Sequence, residues 1–96
     1  MKKTHLLLMG FVLLSFLLSG CYYFSAKREM KDAEKLILEL KAAGGEKLAP
    51  YEYCSAGSNF GISQVEFYNN DFKGAQKFAE QSKSAAESGL TQVKKK

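Results

Sequence analysis

The sequence predicts an all-α chain: an N-terminal signal helix, then a small helical bundle built on an antiparallel helical hairpin. Three observations predict it. An uncharged, strongly apolar run, Leu6 to Leu18, follows a basic start at Lys2 and Lys3. Apolar and small residues then recur at helical spacing in three stretches, about 26–43, 50–69 and 71–93. Strong breakers separate these stretches: Gly44-Gly45 with Pro50, and the turn Asn69-Asn70-Asp71.

The N-terminus has the three parts of a secretory signal: a basic start, an apolar core of thirteen residues, and small residues behind it. The competing reading is a retained membrane helix, since the nineteen residues from Leu6 to Phe24 carry no charge and just reach a span's length. The order Leu18-Ser19-Gly20-Cys21 favours cleavage. It resembles the lipid box of bacterial lipoproteins, in which Leu18, Ser19 and Gly20 would be read by the signal peptidase and Cys21 would become the acylated first residue. That resemblance implies a diacylglyceryl thioether on Cys21 and an acyl chain on its amine. One buried chain binds reversibly, at about 0.8 kcal/mol per methylene, whereas two or more anchor stably. In such lipoproteins an aspartate after the cysteine marks inner-membrane retention. Here Tyr22 follows, which implies the outer membrane, facing the periplasm.

The division expected is therefore a signal peptide over 1–20, a lipidated N-terminus and linker over 21–26, a helical domain over 27–93 and a basic tail over 94–96. Removing twenty of the 96 residues leaves 76, a size at which one core is marginally self-sufficient. It also removes Lys2, Lys3 and His5, the only histidine. The remaining 12 basic residues face 10 acidic ones, and the excess is matched by Lys94, Lys95 and Lys96. This balance does not suggest a nucleic-acid partner, which requires a basic face with stacking aromatics. With Cys21 acylated, Cys54 is the one thiol left, expected as a buried packing group.

Tyr22-Tyr23-Phe24 has two readings: rings at the membrane interface, or rings packed back on the first helix. In that helix Ser25 is the expected N-cap, and Ala33, Leu36, Ile37, Leu40 and Ala43 form one apolar face. Arg28 with Asp32, and Lys35 with Glu39, are spaced for surface ion pairs. Gly44 can take the left-handed conformation that closes a helix, and a short connection runs to Ala49. Pro50 suits the first turn of the next helix, where Tyr53, Ala56, Gly57, Phe60, Gln64, Phe67 and Tyr68 share one side of the wheel. Gly57 and Gly61 are expected to face alanines of the last helix. Asn70 is the expected N-cap there, and Asp71 places a negative charge at its start. The last helix separates most cleanly, with Phe72, Ala75, Phe78, Ala79, Ser82, Ala86, Gly89, Leu90 and Val93 on one side and charged residues on the other. So short a turn makes the last two helices an antiparallel pair.

The run Leu48-Ala49-Pro50-Tyr51, and later Asn70-Asp71-Phe72-Lys73-Gly74-Ala75-Gln76-Lys77-Phe78-Ala79, resembles small bacterial lipoproteins with domain of unknown function 4398. That resemblance spans roughly residues 33–93 and implies an envelope lipoprotein found near peptidoglycan-binding proteins. It supplies no catalytic residues. The hairpin also resembles a single tetratricopeptide unit, through Phe72, Ala75, Ala79 and Ser82. Neither Glu80 with Lys83 nor Asp71 with Lys73 makes a catalytic pair on helix faces open to water, so no enzyme, cofactor or metal is expected. The expected role is an interaction or scaffolding module on a lipid anchor, with an envelope protein, peptidoglycan or a second copy of the chain as candidate partners. The alternative is a tether to peptidoglycan through the terminal lysines, as in the murein lipoprotein.

Overall fold

The structure, a computed structural model, describes the backbone of residues 2–96 and the side chains of residues 3–14 and 21–96. It is all-helical. The elements are α1 (Lys2–Ala42), α2 (Gly45–Leu48), α3 (Pro50–Tyr68) and α4 (Phe72–Lys95).

Helix α1 runs unbroken for 41 residues, so the expected linker over 21–26 is helical and Ser25 lies inside a helix rather than capping one. The physical reason is that no proline or glycine pair interrupts Cys21 to Ala26, while Tyr23 and Ala26 pack against the rest of the bundle. The helix stops at Gly44, whose φ of 85° is the left-handed conformation expected there. Ala43 lies in the turn and is exposed rather than core. The connection to α3 is not irregular throughout: α2 forms one helical turn within it, with Leu48 and Ala49 donating to the Gly44 and Gly45 carbonyls.

Pro50 opens α3 as expected. The second turn departs from expectation. Asn70 sits at φ 65°, closing α3 in the left-handed conformation that asparagine tolerates. Asp71 is the cap instead, its Oδ1 accepting from the Gly74 N–H at 3.0 Å. Helix α4 then continues through Lys95, so most of the expected basic tail is helical.

Helix α4 packs along both α3 and α1, whereas α1 and α3 meet over a shorter length. The first helix is thus part of a three-helix bundle. The core is built of small residues: Ala26, Ala33, Ala56, Ala75, Ala79, Ala86, Ser63 and Ser82 are fully buried, and Leu40 is the largest buried side chain. The buried positions recur every seven residues: Ala26, Ala33 and Leu40 on α1; Ala49, Ala56 and Ser63 along α3; Ala75, Ser82 and Gly89 on α4, with Ala79 and Ala86 beside them. Seven-residue spacing keeps a seam in register when helices cross at a shallow angle, about 20°. Small side chains in such a seam let the backbones approach. Ser82 takes advantage of this approach, donating from Oγ to the Ala56 carbonyl at 2.6 Å between α4 and α3.

This seam corrects the expected face of α3. Gly57 and Gly61 do not meet the alanines of α4; a Cβ at either would touch nothing within 4 Å. Tyr68 is 88% exposed, and Cys54 is exposed rather than buried. An open helical glycine costs about 1 kcal/mol relative to alanine. Gly57→Ala and Gly61→Ala are therefore each expected to stabilise the chain by up to about 1 kcal/mol, additively, measured by thermal unfolding.

Candidate functional site

Cys21 is exposed on α1. Leu18, Ser19 and Gly20 lie outside the residues whose side chains are described. On the N-terminal side, Leu6, Leu7, Leu8, Met9, Phe11, Val12, Leu13 and Leu14 are each at least 54% exposed, so this stretch presents apolar surface to every side. Such a helix belongs in an apolar medium. Among the described residues, no helix is long and apolar enough to cross a membrane.

On the C-terminal side, the bundle begins at once. The Tyr23 ring lies 5.3 Å from that of Phe67 and 5.1 Å from that of Phe72, and Phe67 and Phe72 are 5.2 Å apart. These contacts tie α1 to both sides of the hairpin turn, each worth about 0.5–1.5 kcal/mol beyond burial. Lys27 Nζ sits 5.1 Å from the Tyr23 centroid. The two readings of Tyr22-Tyr23-Phe24 thus divide by residue: Tyr23 packs inward, while Phe24 is 73% and Tyr22 38% exposed. Among the residues whose side chains are described, Ala26 is the first fully buried position.

The groups weighed for catalysis are occupied structurally. Lys83 Nζ reaches Glu29 at 3.6 Å and Asp32 at 3.8 Å, joining α4 to α1. Asp32 meets Lys83 rather than the Arg28 expected, which lies 3.9 Å from Glu29, and no ion pair joins Lys35 to Glu39 among the described residues. The helices set Asp32 opposite a lysine of α4, and this interhelical pairing replaces the one within α1. Glu80 accepts from Gln76 Nε2 at 3.1 Å. At the hairpin turn Asp71 is held below its ordinary range, first by the Gly74 N–H and then by a hydrogen bond from Glu66. Glu66 is raised, chiefly by that same bond and then by burial and the Asp71 charge. Both carboxyls belong to the turn, with Asp71 exposed and Glu66 half-buried. Among the described residues, no group of three or more His, Cys, Asp or Glu side chains is placed to hold a metal.

The opposite end of the bundle carries the terminal lysines. Lys96 Nζ donates to the Leu48 carbonyl at 2.7 Å, beside α2. Twenty residues of α1 lie between Cys21 and Ala42, roughly 30 Å of helix. Cys21 and the lysines therefore mark the two ends of one bundle. No family model, curated protein or solved structure matches the chain, so the likeness to domain of unknown function 4398 stands on its quoted residues alone.

Proposed function

We propose that this chain is a non-enzymatic lipoprotein of the bacterial envelope, acylated on Cys21 and held on the periplasmic side of the outer membrane. Its hairpin serves as an interaction or scaffolding module. One observation carries the reading: Cys21 is an exposed residue just ahead of Tyr23 and Ala26, where the packing of the bundle begins among the described residues, and Leu6 to Leu14 before it are open to solvent. A cut before Cys21 leaves every core contact among the described residues in place, and acyl chains there replace the lost apolar helix as the membrane contact. Tyr22 in place of an aspartate supports the outer membrane over the inner. The α3–α4 pair is a single tetratricopeptide-like unit; three or more such repeats build a peptide groove, and here α1 covers α4 instead. The partner is an envelope protein, peptidoglycan or a second copy of the chain.

In cells given labelled palmitate, the wild-type chain is expected to incorporate label and to migrate without residues 1–20. Cys21→Ala is expected to incorporate none. Labelling of the Cys21→Ala chain overturns the proposal.

A tether to peptidoglycan through the lysines is the second reading. What favours it is position: Lys94, Lys95 and Lys96 lie at the end of the bundle away from Cys21. Detergent-boiled sacculi that retain no chain exclude it.

A further inference from the structure

The end of the bundle nearest Cys21 combines features that the anchor alone does not require. The α3–α4 turn lies level with the start of the bundle, because Phe67 and Phe72, on either side of it, both pack on Tyr23. Tyr22 shares a surface depression of about 480 Å³ with Asp71, Lys73, Gly74 and Lys77 at the start of α4. Around this end three large rings are open to solvent: Tyr22, Phe24 at 73% and Tyr68 at 88% exposure. Val65, 57% exposed, lines a second depression with Tyr68 and Asn69. Lys27, Arg28, Lys73 and Lys77 are also exposed here. The inward-facing rings of the same region, Tyr23, Phe67 and Phe72, are already used by the fold, so the outer set is not left over from core packing.

We infer that this end of the bundle rests in the lipid headgroup layer, with Phe24, Tyr22 and Tyr68 entering it and Lys27, Arg28, Lys73 and Lys77 facing lipid phosphates. The inference deepens the anchoring reading and rests on it. What identifies a lipid surface as the occupant is continuity. The apolar stretch of α1 runs up to Cys21, and charged residues begin at Lys27, so the boundary between apolar medium and water falls across Tyr22 to Phe24. It falls there whether acyl chains on Cys21 or the apolar helix itself enters the bilayer. The hairpin turn is at that level, which brings Tyr68 to the same boundary from another helix. Tyrosine and phenylalanine rings belong at such boundaries, and lysines there meet anionic headgroups. Three rings on two helices, reinforced by the anchor, hold the bundle upright with the α2 end pointing away from the membrane.

The chain contains no tryptophan, which makes a direct test possible. Phe24→Trp, Tyr68→Trp and Tyr51→Trp are introduced singly into the full chain, expressed in cells so that it is processed as in the wild type, and purified. The proteins are reconstituted on vesicles of phosphatidylethanolamine and phosphatidylglycerol, with and without bromine-labelled acyl chains. Tyr51 is 80% exposed in the first turn of α3, at the other end of the bundle, and serves as the reference. The expected result is blue-shifted emission and at least twofold quenching by brominated lipid for Phe24→Trp and Tyr68→Trp, with Tyr51→Trp unaffected. Proteins that float with the vesicles but show no quenching at either position overturn the docking and leave the anchor standing. Quenching at Phe24→Trp alone, or at all three positions equally, overturns the upright orientation. Failure to float overturns both the docking and the anchor.

Discussion

Leu40→Ala is expected to lower the stability of the bundle by about 3 kcal/mol, within the roughly 2–5 kcal/mol seen for buried leucines. Leu40 has no exposed surface, and among the described residues it is the only large apolar side chain that is fully buried, the other fully buried positions being alanine and serine. Each buried alanine offers one methyl, so the seam gains little per residue from transfer out of water. The leucine concentrates what the alanines spread thinly. It is also enclosed, because both Gly45 and Gly89 turn their bare backbones toward it. A space left there is walled by backbone, which relaxes less than side chains do. Ordinary domains hold about 0.05–0.15 kcal/mol per residue, so for the 76 residues from Cys21 onward the loss is a large share of the total. Thermal unfolding followed by helical circular dichroism should show a fall of roughly 12 °C or more. A fall under a few degrees would mean that Leu40 is not the keystone of this end.

Gly89→Val should have the next largest effect, about 2 kcal/mol, from the opposite cause. A Cβ at Gly89 would lie 2.7 Å from Leu40 Cδ2 and 3.1 Å from Glu52 Cβ. Leucine tips yield easily at a surface, but this one is fully buried and Gly45 closes its other side. The gain in helix propensity over glycine, under about 1 kcal/mol, is therefore outweighed by crowding. The two substitutions touch one another, so they should not add. In a Leu40→Ala background the valine enters vacated space, and the double-mutant cycle should give a favourable coupling above about 0.5 kcal/mol. Strict additivity in urea unfolding would show that the two residues do not share one site. Together with the open glycines of α3, this makes a test of register: alanine helps at Gly57 and Gly61, while added bulk harms at Gly89.

Much of this was legible in advance, for physical reasons. The α4 pattern could be read because its charged residues fall on one side and its small ones on the other. Gly44 and Pro50 could be read because each fixes a backbone angle whatever surrounds it. The register of α3 could not. Weighing side chains by apolar size draws attention to Tyr53, Phe60 and Tyr68, yet the seam runs through Ala49, Ala56 and Ser63, which carry almost no hydropathic signal. A seven-residue recurrence of small residues would have found it. Asn70 and Asp71 are both good caps, and only the backbone decides between them: the asparagine adopts the left-handed angle and leaves the cap to its neighbour. Ser25 is a sound start signal overridden by continuous helix on either side. At the candidate site, Cys21 stands out by its place in the sequence. The division of labour between Tyr23 and its two neighbours depends on helix phase relative to a hairpin more than forty residues away.

Helix α4 is made after the helices that need it. Helix α4 packs along both α1 and α3, which have much less to offer each other. During synthesis, α1, α2 and α3 therefore emerge before the surface that would hold them together. Gly89, which closes over Leu40, arrives only with the second half of α4. Until then Leu40 has no lid, Ser82 has not reached the Ala56 carbonyl, and Tyr23 lacks Phe72. A chain that must thread a membrane before folding, as proposed here, gains from this order. Its collapse is deferred until α4 clears, and the segment that completes the bundle crosses after the helices it holds together.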